Sequence, residues 1–197
     1  MSRKSYAVTL NGVVAPMGFK REGMSWFRTV GTILEEINLQ TSQIGGITAN
    51  LMSKDLATEA LLLEAIPWKR PNAILLYYQR IGHLMGNYDR WWKNDPNGPS
   101  ELTEAIRIHA PQYFEPRRSL EAQAYNFGRN SESVTRSSFP TRIYLALTLY
   151  RMGEVEEAIA KLRQPPKSIS PNALKEVESV LEWLLRQPPP SPVSPTA

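Results

Sequence analysis

The stretch ILEEINLQTSQIGGITANLMS, residues 33–53, carries the clearest structural pattern of this chain. It contains two runs in which apolar and polar side chains alternate, and a short turn around Gln43, Ile44 and Gly45 joins them. Alternation with a period of two is typical of a β-strand that is buried on one face. The stretch therefore predicts two antiparallel strands of a small sheet.

The same alternation predicts the register of this hairpin. We expect Asn38 to lie opposite Asn50 and Gln40 to lie opposite Thr48, because a shift by one residue would exchange the two faces. The apolar face then consists of Ile37, Leu39, Ile47, Ala49 and Leu51. The opposite face is polar, and it is either a solvated surface, a recognition surface for a partner, or a face that a helix covers. In the last case its amides must pair internally, since an unpaired buried polar group costs about 1–3 kcal/mol.

Further elements are predicted around the hairpin. Residues 5–17 predict an N-terminal helix, the segment GFKREG predicts a turn, and MSWFRTV predicts a first strand. Residues 54–66 predict a short helix before Pro67. Residues 73–85 are apolar and rich in aromatic side chains, which is typical of a strand. Because the alternation is imperfect, this strand is either buried on both faces or continues into a helix.

From Asn94 onward the pattern favours helices. Ser100 is a predicted N-cap of a helix that Pro111 ends, and residues 117–128 form another predicted helix. The stretch LALTLYRMGEVEEAIAKLRQ, residues 145–164, resembles one tetratricopeptide-type helical pair with a turn at Gly153. A last helix begins at Ser170-Pro171, and its predicted inner side consists of Leu174, Val177, Leu181, Leu184 and Leu185.

The order of these elements predicts an α+β fold, because strands and helices are segregated along the chain. We expect a small antiparallel β-sheet with an N-terminal helix, followed by an all-helical C-terminal part. The predicted division is an α+β domain at 1–115, a helical extension at 116–187 and a disordered proline-rich tail at 188–197.

Composition narrows the functional classes. The 197 residues include no cysteine, which excludes disulfides and thiolate chemistry. The net charge of +4 is spread thinly, with 11 Lys and Arg against 8 Asp and Glu in residues 1–100 and 12 against 11 in the rest. A thinly spread surplus is typical of a solvated surface. The sequence contains neither a signal peptide nor an apolar run near the roughly 18 residues of a membrane span, so we expect a cytoplasmic protein without a membrane partner.

The stretch RIGHLMGNYDRWW, residues 80–92, contains the candidate binding cluster. In one interpretation Trp91 and Trp92 pack on the sheet, and Asp89 pairs with Arg80 or Arg90. In the other, one indole stays accessible beside the arginines as an interface anchor. Adjacent residues of an extended segment point in opposite directions, so both interpretations can hold, with one ring inside and one outside.

Three motifs resemble, in this order, the bacterial family known as domain of unknown function 4304. They are GFKREGMSWFRTV, INLQTSQIGGITANL and RIGHLMGNYDRWW, within residues 5–115. The matching positions are Gly18-Phe19, Trp26-Phe27, Asn38, Gln40, Asn50, Arg80-Ile81-Gly82, Asp89 and Trp91-Trp92. The chain differs from the pattern at Ile47, where an aromatic residue is common, and in its long helical C-terminal part. The resemblance implies the fold and no established activity.

The residues for catalysis are few. There are two histidines, His83 and His109, and neither lies in a spacing typical of a zinc site or a nucleophile elbow. We therefore expect no catalytic residues, no metal and no cofactor. The alternative is an enzyme with an unrecognised site, such as metal-assisted hydrolysis through Asp89 and Glu36.

The remaining hypothesis is a cytosolic binding protein, most concretely an immunity protein that neutralises a bacterial toxin encoded nearby. Its predicted binding residues are Asn38, Gln40, Thr48, Asn50, Arg80, Asp89, Arg90, Trp91 and Trp92. The alternative is a nucleic-acid-associated protein that uses Arg28, Arg80, Arg90 and Lys93 along one sheet edge.

Overall fold

The computed structural model describes residues 3–43, 45–69, 77–86, 89–93, 96–129, 139–164 and 170–188. The chain divides into two units. Unit 1 contains residues 1–54 and 75–116, and unit 2 contains residues 55–74 and 117–197. The predicted boundary after residue 115 lies one residue before the end of unit 1. Residues 55–74, however, belong to the helical unit and not to the predicted first domain.

Helices and strands follow one another along the chain in a segregated order. In sequence they are α1 (Arg3–Val14), β1 (Lys20–Glu22), β2 (Ser25–Val30), β3 (Ile33–Thr41), β4 (Ile47–Asp55), α2 (Leu56–Ala65), β5 (Tyr77–Arg80), α3 (Ile81–Leu84), α4 (Gly98–Phe114), α5 (Leu120–Asn126), α6 (Phe139–Arg151), α7 (Val155–Arg163) and α8 (Pro171–Arg186). The predicted α+β class is confirmed, with α1 as the N-terminal helix and a helical C-terminal part.

The sheet of unit 1 is antiparallel and has the strand order β1-β2-β3-β4-β5. The predicted strand MSWFRTV is present as β2. The segment before it was predicted to be a turn, and this is wrong for Lys20–Glu22, which forms β1 and pairs with β2. All three β1 side chains are exposed, so the segment has no apolar alternation from which a strand could be predicted.

The central hairpin has the predicted form. The backbone N–H of Ser42 donates to the carbonyl oxygen of Gly46 at 3.0 Å. Counting back from this pair along both strands places Asn38 opposite Asn50, as predicted. Along β3 the side chains alternate between buried and half-buried from Ile33 to Gln40.

The hydrophobic core of unit 1 lies between one face of the sheet and the helices α1 and α4. Its members include Tyr6, Leu10, Val14, Trp26, Ile37, Leu39, Ala49, Leu51, Trp92, Leu102, Ile106, Tyr113 and Phe114. Two polar groups of buried aromatic residues find partners there. The indole Nε1–H of Trp26 donates to Asn11 Oδ1 at 3.0 Å, and the hydroxyl of Tyr6 donates to the carbonyl oxygen of Lys93 at 2.6 Å.

The helix α4 is longer than predicted at both ends. It begins at Gly98, before the predicted N-cap Ser100, and it continues through Pro111 to Phe114. Proline removes a backbone donor and normally ends a helix. In α4 the turn that follows Pro111 is retained because Tyr113 and Phe114 are fully buried in the core. Burial in the core therefore outweighs the local cost of the proline.

A charged pair lies across β2 and β3. Glu35 is fully buried, and its Oε2 accepts from Arg28 Nε at 2.6 Å. The guanidinium of Arg28 also donates to the carbonyl oxygen of Met17 at 2.7 Å, and it lies 4.4 Å above the ring centroid of Phe19. These partners compensate the desolvation of the Glu35 carboxylate.

Unit 2 is helical, and α6 packs against α2, α5, α7 and α8. Asp55 caps α2, since its Oδ1 accepts from the backbone N–H groups of Ala57 at 2.9 Å and Thr58 at 3.3 Å. The Oδ2 of Asp55 pairs with Arg151 at the end of α6. The Asp55 carboxylate therefore accepts hydrogen bonds from backbone N–H groups at the start of α2 and also links α2 to α6.

The predicted helical pair is present as α6 and α7, and Gly153 forms its turn with a φ of 85°. The predicted inner face of α8 is wrong in part. Leu174 and Leu185 are exposed, whereas Val180 and Trp183 are buried. The side chain of Trp183 is the largest on α8, and it packs edge-on against Tyr150 with ring centroids 5.3 Å apart. Because Trp183 is buried, the buried face of α8 includes Val180 and Trp183 and excludes Leu174 and Leu185.

Some sequence expectations fall on residues outside the described ones: the turn residue Ile44, residues 73–76 of the predicted strand, the polar segment at 130–138, whose composition is typical of a loop, and nearly all of the tail at 188–197. Among the described residues, no helix combines the length and the apolar character needed to cross a membrane.

Candidate functional site

The candidate site lies on the sheet face opposite α1 and α4, which we call the outer face. Ser25 of β2 lies opposite Asn38 of β3, and Asn50 of β4 lies opposite Arg80 of β5. Because the hairpin register places Asn38 beside Asn50, four polar side chains form one row across four strands. The second row contains Gln40 and Thr48 and lies nearer the hairpin turn.

Hydrogen bonds between side chains connect these rows. Asn38 Nδ2 donates to Ser25 Oγ at 2.8 Å, and Ser25 Oγ donates to Glu36 Oε1 at 2.7 Å. Asn50 Nδ2 donates to Gln40 Oε1 at 3.0 Å. The amides therefore hold one another in place and are not a set of independent solvated side chains.

The burial of these groups differs along the face. Asn38 and Gln40 are half-buried, whereas Thr48 is fully buried and Asn50 is 7% exposed. The sequence left open whether this face is solvated or covered. The structure shows that it is half-open over β3 and closed over Thr48 and Asn50 of β4.

The closed part contains polar atoms without partners. Thr48 Oγ1, Asn50 Oδ1 and Arg80 Nε are all buried, and none has a hydrogen-bond partner among the described residues. Each such atom costs about 1–3 kcal/mol in the folded state. Most buried polar groups in native proteins are paired, so three orphan atoms on two adjacent strands mark this part of the outer face as a candidate binding region.

The two adjacent tryptophans lie on opposite sides of the sheet. Ile47 and Trp92 form a bridge in which each backbone N–H donates to the other carbonyl at 2.9 Å. Trp92 points into the core and is 3% exposed. Trp91, one residue earlier, lies across from Thr48 on the outer face and is half-buried. One ring is therefore inside and one outside, as one predicted interpretation allowed.

Arg80 connects Trp91 to Asp89. Its guanidinium carbon lies 5.1 Å from the centroid of the Trp91 ring, and its Nη1 pairs with Asp89 Oδ1. Of the two partners predicted for Asp89, the structure selects Arg80. Asp89 has a φ of 45°, in the left-handed region that aspartate tolerates better than most residues. Half of its side chain is exposed, so the ion pair is accessible at the surface.

Arg90 has a different environment from Arg80. It lies 4.9 Å above the ring centroid of the buried Trp92, and its Nη2 is 3.3 Å from Glu101 Oε2 at the start of α4. Arg90 therefore joins this segment to α4 and covers the core, and it is the predicted binding residue with the weakest connection to the outer face.

Two glycines permit the segment of Trp91 to approach the sheet. A Cβ at Gly82 would lie 2.7 Å from the backbone nitrogen of Arg90. A Cβ at Gly46 would lie 3.3 Å from Trp91 Cβ, and Gly46 has a φ of 117°. The position of the Trp91 indole thus depends on small residues in two different elements.

One contact residue of the outer face was not predicted. Tyr78 lies opposite Met52, two residues before Arg80 on the same strand, and it is 51% exposed. The signal was available, because residues two apart on a strand share a face. The imperfect alternation of residues 73–85 obscured it.

The predicted row of basic residues along one sheet edge is wrong. Arg28 lies on β2 and points toward the core side, where it pairs with Glu35, whereas Arg80 lies on β5. Arg80 and Arg90 are paired with Asp89 and Glu101. These positions do not form a continuous basic surface.

The alternative metal site has no support in this geometry. Across the described ranges, no three acidic or histidine side chains form a group that could hold a metal ion. Glu36 accepts from Ser25, and Asp89 pairs with Arg80. Both carboxylates therefore already have a partner within unit 1.

Comparison of the chain with protein-family models, with curated proteins and with solved structures found no match. The resemblance to the domain of unknown function 4304 family therefore stays a prediction, as does the tetratricopeptide-like character of the α6–α7 pair.

Proposed function

We propose that this protein binds another protein through the outer face of unit 1. The contact residues are Trp91, Arg80 and Tyr78, which are the residue types that dominate interface hot spots. Trp91 and Arg80 are half-buried, and Tyr78 is more than half exposed.

The observation that carries this proposal is the position of the orphan polar atoms. Thr48 Oγ1, Asn50 Oδ1 and Arg80 Nε lie on neighbouring strands, and the Trp91 indole lies against the guanidinium of Arg80. A partner that pairs with these atoms would recover free energy that the isolated protein loses.

A concrete form of the proposal is an immunity protein, whose partner is a bacterial toxin encoded beside it. Such a protein needs surface complementarity over about 800 Å² and no chemistry of its own. The outer face supplies an aromatic side chain, an accessible Arg80–Asp89 ion pair and the half-buried amides of Asn38 and Gln40. These are the components of a protein interface with a polar rim.

The test is growth of bacteria that express the neighbouring toxin. We expect the wild-type protein to restore growth and Trp91→Ala to lose most of this effect. The matched control is Trp68→Ala, because Trp68 in unit 2 is also accessible, at 52%, and also lies beside a cation, with Lys175 Nζ 4.7 Å from its ring centroid. The Trp68 variant should protect as well as wild type.

Two results would contradict the proposal. One is the absence of rescue by the wild-type protein, and the other is equal protection by wild type and Trp91→Ala. A mobility-shift assay with duplex DNA at two salt concentrations tests the nucleic-acid alternative. Binding that weakens steeply with added salt would favour that alternative over a protein partner.

A further inference from the structure

We infer that the outer face recognises a primary carboxamide, namely an asparagine or glutamine side chain of the partner, at the orphan atoms of Thr48, Asn50 and Arg80. This inference rests on the proposed function, since it names the chemical group that the same face binds. It starts from the geometry of the three orphan atoms.

The two central atoms are a donor and an acceptor on directly opposed residues. Arg80 Nε carries a hydrogen and can only donate, whereas Asn50 Oδ1 can only accept, and Asn50 lies opposite Arg80 in the register of β4 and β5. A carboxamide has the complementary pair, a carbonyl oxygen and an NH₂ group on one planar carbon. Its oxygen would accept from Arg80, and its nitrogen would donate to Asn50.

Charged groups fit this pair poorly. A carboxylate has no donor, so one of its oxygens would face the oxygen of Asn50. An ammonium or guanidinium group has no acceptor and would face the guanidinium of Arg80. The donor–acceptor pair therefore selects a neutral group over either ion.

Thr48 supplies the third contact. Its hydroxyl both donates and accepts, and it lies in the next row of the outer face, across from Trp91. The second hydrogen of a carboxamide NH₂ group can donate to Thr48 Oγ1. All three orphan atoms then have a partner in the bound state.

The Trp91 indole controls access to these atoms. They are covered in the structure, and the indole lies over the guanidinium of Arg80. Its segment is joined to β4 by the bridge at Trp92, and it follows Asp89 with its left-handed backbone. We expect the indole to leave Arg80 when the ligand enters and to stack on the amide plane, so binding must change the environment of this ring.

The structure also implies a conflict between stability and binding at Thr48. Its hydroxyl has no partner among the described residues, so Thr48→Val removes an unpaired polar atom and preserves the shape of the side chain. This substitution should leave the folded protein at least as stable as wild type while it weakens ligand binding. A purely structural threonine would not behave in this way.

The experiment is an NMR titration of the full chain with propionamide and with its isostere propionate. The expected result is a saturable shift of the Trp91 indole N–H resonance with propionamide and no saturable shift with propionate. A stronger effect of propionate would overturn the inference, because it would mean that the site presents donors alone. Absence of a saturable shift with either compound would overturn it as well.

The variants make the test specific. We expect Thr48→Val and Asn50→Leu each to weaken propionamide binding about fivefold to tenfold. The matched control is Thr148→Val in unit 2, because Thr148 is also fully buried and its hydroxyl also lacks a partner among the described residues. The control should bind propionamide like wild type. If Thr48→Val binds as tightly as the control, the inference is wrong.

The inference and the proposed function fail in different ways. If Trp91→Ala loses growth rescue but the wild-type protein does not bind propionamide, the protein interface stands and the carboxamide is wrong. If propionamide binds as expected but rescue does not depend on Trp91, the carboxamide site stands and the toxin interface is wrong.

Discussion

Units 1 and 2 contain similar buried polar groups in different surroundings. Each has a charged pair, Arg28–Glu35 in unit 1 and Arg151–Asp55 in unit 2, and each has a fully buried threonine without a hydroxyl partner among the described residues. In unit 2 this threonine, Thr148, lies on α6, where every residue from 142 to 150 is buried. In unit 1 the corresponding threonine, Thr48, lies across from the half-buried Trp91.

This contrast shows how an unpaired polar atom should be interpreted. Inside a helix that is buried on all sides, such an atom lowers stability and has no route to a ligand. On a sheet face beside an accessible aromatic ring, the same atom is within reach of a partner. The surroundings of an orphan atom, and not its presence, indicate a binding site.

The largest change in stability should separate the two sides of the sheet in unit 1. We expect Trp92→Ala to lower the free energy of unfolding by about 3–5 kcal/mol, because it leaves a cavity in the core. Trp91→Ala should cost less than about 1 kcal/mol, since its half-buried ring covers the outer face. Urea unfolding followed by circular dichroism measures both values. Equal losses would mean that Trp91 is a core residue and would remove the basis for a binding face.

The second effect compares the charged pairs of the two units. Arg28→Met removes the guanidinium that pairs with the buried Glu35 carboxylate and should cost about 3 kcal/mol. Arg151→Met should cost less, about 1–2 kcal/mol, because Asp55 keeps its bonds from Ala57 and Thr58. Urea unfolding curves of the two variants provide the measurement. A larger loss of stability in Arg151→Met than in Arg28→Met would show that the hydrogen bonds from Ala57 and Thr58 do little to stabilise the Asp55 carboxylate.

A smaller loss of stability is expected at Gly82, which lies against the segment that carries Trp91. Gly82→Ala places a Cβ 2.7 Å from the backbone nitrogen of Arg90 and should cost about 1–3 kcal/mol, because the segment must move. Gly12→Ala is a suitable control, since a Cβ there has no atom within 4 Å and Gly12 lies in α1. The control should be neutral or stabilising. Thermal unfolding measures the loss of stability, and the Trp91 indole N–H chemical shift reports whether the segment has moved. An unchanged indole shift in Gly82→Ala would contradict the predicted movement of the segment.

The smallest effect concerns the way in which the stability of unit 2 depends on pH. Burial raises the pKa of Tyr144, and the charges of Glu59 and Asp55 raise it further. The phenol therefore stays protonated in the folded state at pH values where the unfolded chain ionises, above about 10. Its contribution to stability is present below that pH and is lost as the pH rises.

The substitution Tyr144→Phe tests this dependence. Between about pH 9 and pH 11 the free energy of unfolding should fall less steeply in the variant than in wild type. At neutral pH the variant should be at least as stable, because the Tyr144 hydroxyl is buried without a partner among the described residues. Parallel declines in both proteins would show that other groups cause the alkaline loss.

Local patterns were sufficient to predict much of unit 1 and part of unit 2. Alternation predicted β3, β4 and their register, and the helix signals around Gly153 and Ser170 agree with the observed end of α6 and the observed start of α8. Errors occurred where tertiary burial outweighed a local signal. Pro111 did not end α4, and β1 formed from three exposed residues because β2 was there to pair with it.

The candidate site shows the same limit. Its polar row was predicted, because alternation assigns Asn38, Gln40, Thr48 and Asn50 to one face. The closure over Thr48 and Asn50 was not predicted, because burial depends on what lies above a strand and not on the strand itself. The contribution of Tyr78 from β5 was also missed.

The order of residues alone was enough to predict an α+β fold around the 33–53 hairpin and adjacent tryptophans that point in opposite directions. It could not establish which of them is buried, because alternation relates neighbouring residues to each other and not to the core. The bridge between Ile47 and Trp92 answers that question in the folded chain, since it places Trp92 in the core and leaves Trp91 over Arg80. Segments that are far apart in the sequence share one buried face and one accessible face only after they pair in the sheet. The candidate site therefore depends on the folded structure and cannot be read from any one segment.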